Sequence, residues 1–214
     1  MVGVPDLHED WAGTVRAAGA TADDEAVAAA GADLLSRWRE PHRHYHDAQH
    51  LADVLAAVDD LAADAADVPA VRLAAWFHDA VYEGRPGDDE QRSADLARQV
   101  LTELGVPPQR SDRVADLVRI TLHHDPAPGD ADGAVLCDAD LAILAADADR
   151  YARYVKAVRA EYQHVPEPMF RSGRAMVLKA LEAMPRLYRT AAARQRWEGA
   201  ARANLARELD ELQQ

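Results

Sequence analysis

Residues 42 to 51 read HRHYHDAQHL and place four histidines, His42, His44, His46 and His50, within nine positions. Imidazoles titrate near neutrality and offer two ring nitrogens, so such density serves either a solvated basic patch or a metal and acid–base site. Two further stretches bear on the choice. WFHDAVY, residues 76 to 82, ends an apolar run with the adjacent pair His78 and Asp79. LCDADLAIL, residues 136 to 144, sets Asp138 and Asp140 among apolar neighbours. A carboxylate in such surroundings is costly unless a cation, a metal ion or hydrogen-bond donors neutralise it. Two or more histidines with two or three aspartates form a donor set suited to Mn, Fe, Co, Ni or Zn, and with added waters to Mg. Cys137 is the one cysteine, which argues against a thiolate zinc site. Each piece also has a plainer reading: surface histidines, a chance His-Asp dipeptide, aspartates capping a helix. The combination is what points to a site.

The elements that must position these groups are helical. Apolar residues recur at three- and four-residue spacing, alanine, leucine and arginine are frequent, and there is no alternating strand pattern or internal repeat. The pattern predicts helices over about 5–18, 23–38, 45–65, 69–82, 90–104, 111–124, 134–147, 149–163, 167–184 and 192–212. Loops fall at 83–89 and 125–133, where Gly, Pro and Asp cluster. On the helix predicted over 45–65, His46 and His50 are four apart and project from one face. His78 and Asp79 are adjacent, so on a helix they diverge by about 100° and share an ion only if it lies between their directions.

A length of 214 residues suits one domain with a real core. No long uncharged apolar run is present, so the sequence predicts no membrane span. It also predicts no secretory leader, because MVGVPDLHEDWAG lacks a basic segment followed by an apolar one. A single cysteine fits a reducing cytoplasm. The net charge of −13 repels nucleic-acid phosphates, which argues against long nucleic acids as partners.

The order histidine, His-Asp pair, later aspartate on a helical chain resembles the HD-domain metal-dependent phosphohydrolase superfamily, in particular a branch of small bacterial predicted HD phosphohydrolases. The stretches RHYHDAQHL, AAWFHDAVY, DDEQRSA, ITLHH, CDADLAIL, YVKAVRAEY, FRSGRAMVL and ARANLARE carry the resemblance, from about residue 43 to 208. It implies an all-α, single-domain bundle over residues 1–214, with a metal-site core at about 43–145 and C-terminal helices at about 149–212 packing on it. YHDAQHL also resembles the YHNxxHA stretch of cyclic-nucleotide phosphodiesterases. That likeness implies His46 as the proton donor to the leaving group and His50 as a metal ligand. Asp47 stands where those enzymes have asparagine, and the histidine that follows their HD pair is missing, which argues against cyclic-nucleotide specificity. His78 and Asp79 match the namesake motif, with Asp79 placed to bridge two ions if two bind. ADL at 139–141 matches the terminal aspartate motif, which implies Asp140 as ligand and Asp138 behind it, although the two can exchange roles.

The chemistry so implied is hydrolysis of a phosphate ester of a small molecule, such as a nucleotide, with one or two divalent ions as cofactor. A metal ion ionises water and stabilises phosphoryl charge, and a histidine free of metal protonates the leaving oxygen. Arg43, His123 and His124 are candidates for substrate contact, with His123 favoured because it continues the stripe of Ile120. Arg43 serves equally to pair with a surface acid, and the two histidines equally to cap a helix. Glu90 either orients a ligand histidine or answers its helix dipole. Tyr151, Tyr154, Arg159, Glu161 and Tyr162 read as core packing and ion pairing on one long helix. Two other functions remain open: a non-catalytic nucleotide- or metal-binding regulatory module, and another metalloenzyme on the same scaffold, a lyase or di-iron oxygenase. An apolar face on the last helix permits a homodimer.

Overall fold

The computed structural model describes residues 6–213. Pro5, where the first predicted helix begins, lies outside them, as do the residues before it. The described residues form ten α-helices: α1 Leu7–Ala17, α2 Asp24–Arg37, α3 Ala48–Asp60, α4 Val68–Phe77, α5 Asp88–Glu103, α6 Pro108–Ile120, α7 Ala131–Asp140, α8 Ala148–Glu161, α9 Glu167–Ala183 and α10 Ala191–Gln213. Two short 3₁₀ turns, Ala62–Asp64 and Leu141–Ala145, complete the regular structure, and the described residues contain no strand. The predicted all-α bundle is what the chain forms. No helix among the described residues is long and apolar enough to cross a membrane.

Helix α4 is the axis of the molecule. Its sequence, VPAVRLAAWF, is apolar on nearly every face, the pattern of a helix surrounded by others. It packs against α1, α3, α5, α6 and α7, and Leu73, Ala74, Ala75, Trp76 and Phe77 are fully buried. Three tryptophans bury their rings around it and satisfy each indole N–H. Trp11 Nε1 donates to the Val27 carbonyl at 2.8 Å, Trp38 Nε1 to the Trp76 carbonyl at 3.0 Å, and Trp76 Nε1 to Asp10 Oδ1 at 3.0 Å. Trp11 lies flat on α2 because residue 31 is glycine; a Cβ there would sit 2.4 Å from the indole. One continuous apolar core runs from Leu7 to Leu209.

Local chemistry sets where helices stop, and at four places this differs from the predicted bounds in ways that matter for the site. The helix predicted from Tyr45 begins at Ala48. Asp47 takes an extended conformation and its carboxylate caps the N–H groups of Gln49 at 2.9 Å and His50 at 3.2 Å. His46 therefore lies in the loop before α3 and does not share a helical face with His50. Helix α4 ends at Phe77, one residue before the His-Asp pair. Helix α6 begins at Pro108 rather than Ser111, since proline is pre-organised for a first turn, and it ends at Ile120 instead of reaching His124. The segment predicted as one helix over 134–147 begins earlier, with Asp130 capping Gly133 N–H at 2.9 Å. It breaks at Asp140 into the 3₁₀ turn.

Helices α3, α4 and α7 pack on one another in pairs. This brings the start of α3, the end of α4 and the end of α7 to one place. The C-terminal helices close on them: α10 packs along the 141–145 turn and against α9. Asn204 Nδ2 donates to the carbonyls of Leu144 and Ala146, both at 2.8 Å.

Candidate metal centre

Three chain segments converge where α3, α4 and α7 meet. His50 stands on the first turn of α3, His78 caps α4, Asp79 follows in the turn, and Asp140 ends α7. His50 Nε2 lies 3.2 Å from His78 Nε2 and 3.3 Å from Asp140 Oδ1. His78 Nε2 lies 3.6 Å from that same carboxylate oxygen and 3.2 Å from Asp79 Oδ2, which is 3.9 Å from His50 Nε2. Both histidines are buried, and the two aspartates keep limited exposure. His78 keeps helical dihedrals as the cap of α4, and its Nε2 and Asp79 Oδ2 still come within 3.2 Å, so both members of the pair reach the cluster. His50, His78 and Asp140 form the tightest donor group, with Asp79 beside it.

These separations decide what the cluster suits. Charge-assisted hydrogen bonds run at about 2.7–2.9 Å, and the spacings here are longer. Donor atoms about 2.1 Å from one ion sit about 3.0 Å apart along an octahedral edge and about 3.4 Å apart along a tetrahedral one. His50, His78 and Asp140 thus stand close to ligand-to-ligand spacing, and Asp79 reaches that spacing to His78 alone. Their chemistry fits as well. His78 Nδ1 is 2.8 Å from the Ala75 carbonyl, which can only accept, so Nδ1 carries a proton and Nε2 is the nitrogen turned to the cluster, free to ligate once its own proton is displaced by a cation. Burial by itself would lower the His78 pKa, but the Asp79 and Asp140 carboxylates more than offset it and hold it well above the ordinary value. Burial would raise both aspartates; His78 reverses this and holds both below the usual carboxylate range. The pocket demands positive charge.

Around this centre the sequence-predicted residues divide. His124, at φ +49° in the left-handed region, donates Nε2–H to Asp140 Oδ2 at 2.8 Å and turns the other oxygen toward the histidines. His123 is exposed and makes no side-chain bond to the cluster among the described residues. The Ile120 stripe does not extend to it because α6 has already ended. Asp138 is fully buried but faces elsewhere. It accepts from the backbone N–H of Arg189 at 2.6 Å and Thr190 at 2.7 Å, anchoring the start of α10 to α7. Arg189 in turn donates to the His124 carbonyl at 3.0 Å. Glu90 accepts from Gly87 N–H and closes a capping box on α5.

Arg43 is a brace rather than a free cation. Its side chain has no exposed surface, and it spends its donors internally. Nη1 reaches the carbonyls of His46 at 3.0 Å and Asp79 at 2.8 Å, Nη2 that of Ala80 at 3.4 Å, and Nε the Glu40 carboxylate at 3.1 Å. It therefore ties the loop carrying His46 to the turn carrying Asp79. His42 and His44 are exposed.

Glu161, the last residue of α8, has a part that the sequence reading passed over. Its Oε1 accepts from three consecutive backbone N–H groups, His44 at 2.8 Å, Tyr45 at 2.7 Å and His46 at 2.9 Å. Its Oε2 takes His46 Nδ1–H at 2.7 Å and the Tyr82 hydroxyl at 3.0 Å. Burial opposes the ionised carboxylate, yet His46 and these donors pull its pKa down to about 2. His46 responds in the opposite sense: burial lowers its pKa, but the Glu161 bond and the nearby carboxylates leave it raised. The His46 ring stacks on Tyr82 at 4.3 Å and lies 5.6 Å from the His50 ring. Its Nε2 makes no hydrogen bond among the described residues. The signal present in the sequence is its position at the end of a helix, where an acid opposes the dipole and needs a partner.

Comparison with models of protein families, with curated proteins and with solved structures finds no match to this chain.

Proposed function

We propose that this chain is a metal-dependent phosphohydrolase of the HD type, hydrolysing a phosphate ester of a small molecule in the cytoplasm. The observation that carries the reading is the convergence of His50, His78 and Asp140 at ligand spacing from three separate segments, with Asp79 3.2 Å from His78. A divalent ion held by these four side chains would supply Lewis acidity and ionise water near neutral pH. Asp79 and Asp140 provide the negative charge that draws the cation in, and His124 fixes which Asp140 oxygen faces it. Arg43 holds the Asp79 turn in register with the His46 loop.

His46 supplies the acid. Glu161 holds Nδ1–H, stabilises the imidazolium and leaves Nε2 to give a proton to the leaving oxygen. This dyad favours turnover over a purely regulatory module, since a sensor needs no oriented proton donor. The acidic surface favours a small substrate over a nucleic acid.

The test is metal analysis followed by assay of nucleotides and an aryl phosphate with Mn²⁺, Co²⁺, Ni²⁺ or Mg²⁺. The reading expects His46→Ala to lower kcat by about 10²–10⁴ with metal content retained, and Asp79→Ala to lose both metal and activity. Tight metal binding with no turnover across the panel would favour the regulatory reading. Oxygen consumption with a di-iron absorbance band would favour an oxygenase.

A further inference from the structure

We infer that the groove between α8 and α9 receives an apolar, aromatic-sized leaving group; the inference rests on the hydrolase reading above. The groove holds about 430 Å³, within the usual range for small-molecule pockets. His46 is part of its lining, and Tyr154, Tyr162, Phe170, Gly173 and Val177 form much of the remainder. Tyr162 and Phe170 have ring centroids 6.1 Å apart. Arg174 also borders the groove but offers no anion site. Its guanidinium is committed to Glu208 at 2.7 and 3.0 Å and to the Tyr154 hydroxyl at 2.9 Å.

Direction makes the assignment. A proton donor acts on the departing oxygen, so the departing group lies on its side of the phosphorus. His46 belongs both to the dyad beside the metal centre and to the wall of this groove. The cleft lined by His50, Asp140 and Arg150 shares no wall with this groove; Arg150 there is paired to Asp53 at 2.6 Å, so a phosphoryl group would be held in it through the bound ion. In the reaction the P–O bond to the leaving oxygen breaks as a bond from water forms. The leaving oxygen takes the Nε2 proton of His46, and the proton released by the water restores the imidazolium. The alcohol so formed is left among aromatic and aliphatic side chains.

Gly173 makes this testable. A Cβ there meets nothing within 4 Å, so a side chain at 173 starts in open space beside the groove, and Gly173→Leu replaces a glycine inside a helix. The experiment uses the full chain with Mn²⁺ and two phosphonates that cannot be hydrolysed, 2-phenylethylphosphonate and methylphosphonate, measured by calorimetry. Wild type should bind the first about thirtyfold more tightly, the worth of roughly 80 Å² of apolar surface removed from water. Gly173→Leu should reduce that preference to about threefold or less, reflecting loss of most of this apolar contact. The kcat/KM ratio of 2-phenylethyl phosphate to ethyl phosphate should fall in parallel. Equal phosphonate affinities in wild type overturn the groove assignment even if both esters are hydrolysed. A preference that survives Gly173→Leu overturns it as well. Binding preference with no turnover of any ester overturns the hydrolase reading and the leaving-group role with it. Met169 and Val177 are exposed at this face. A dimer that Val177→Arg converts to a monomer, together with equal affinities, overturns the inference in favour of an interface between copies.

Discussion

Replacing Glu161 by glutamine separates the charge of this side chain from its shape. Five donors meet the carboxylate: three backbone N–H groups, His46 Nδ1–H and the Tyr82 hydroxyl. The carboxyl group is almost completely covered. Its pKa falls from an ordinary 4.5 to about 2, which corresponds to about 3 kcal/mol of preference for the ionised form in the fold. Glutamine keeps an oxygen for the backbone N–H groups and loses the charged bond to His46, a change of about 2 kcal/mol. Its amide also presents a donor toward Nδ1, so His46 must become the tautomer with the proton on Nε2, and its imidazolium is no longer supported. The sign with pH follows from both partners. The Glu161 contribution is full above about pH 4.5 and is lost as pH falls toward 2. The His46 contribution, from a raised pKa, is full below about 6.5 and is lost as pH rises through the folded value. The stability difference between wild type and Glu161→Gln should therefore be largest between about pH 4.5 and 6.5 and shrink on either side. Urea unfolding of the metal-free proteins at pH 3, 5.5 and 9 measures it. Imidazole ¹⁵N spectra report the His46 pKa directly, which should drop in the variant, and the alkaline limb of kcat should move to lower pH with it. An unchanged His46 pKa, or a stability loss independent of pH, would refute the dyad. Asp79 and Asp140 also face His46 and retain their charge in both proteins, so they do not mimic the effect.

Further perturbations read other parts of the structure. His124→Ala frees Asp140 to rotate and should weaken Mn²⁺ binding about ten- to hundredfold in a calorimetric titration, with far-ultraviolet circular dichroism unchanged; equal affinity would contradict its positioning role. Arg43→Met leaves the His46, Asp79 and Ala80 carbonyls without their buried donor and should cost about 3 kcal/mol or more by denaturant unfolding. A loss below about 1 kcal/mol would mean that Arg43 is not the brace described. Gly31→Ala forces Trp11 from its seat on α2 and should destabilise by about 1–3 kcal/mol while leaving metal affinity intact.

How much of this is written in the sequence depends on the residue. The all-α architecture follows from periodicity, and in the structure Asp6, Asp23 and Asp147 cap their helices as such residues do. The donor set is legible because buried histidines and aspartates in apolar contexts need a common explanation, and the structure brings His50, His78, Asp79 and Asp140 together. The choice of Asp140 over Asp138 came from the resemblance of the ADL stretch and not from any local pattern. Two positions apart on one helix, they point in different directions, and Asp138 is claimed by backbone N–H groups about fifty residues later. Extrapolating helical periodicity past a real terminus misplaced two groups. It put His46 on the face of α3, although Asp47 starts that helix afterwards, and it favoured His123, although α6 stops at Ile120 and His124 turns inward. Arg43 looked available because burial is a tertiary property; only the fold reveals that carbonyls from two segments consume its donors. Glu161 is 115 residues from His46, and no local pattern links them.

The central claim is that one cation sits among His50 Nε2, His78 Nε2, Asp79 and Asp140. A crystal of the Mn²⁺-soaked protein, with anomalous data collected at the manganese edge, tests it most directly. The account predicts a strong peak within about 2.3 Å of both Nε2 atoms and of an Asp140 oxygen, absent in a His78→Ala crystal prepared identically. Anomalous peaks elsewhere on the surface, with these four side chains unoccupied and unmoved, would contradict it.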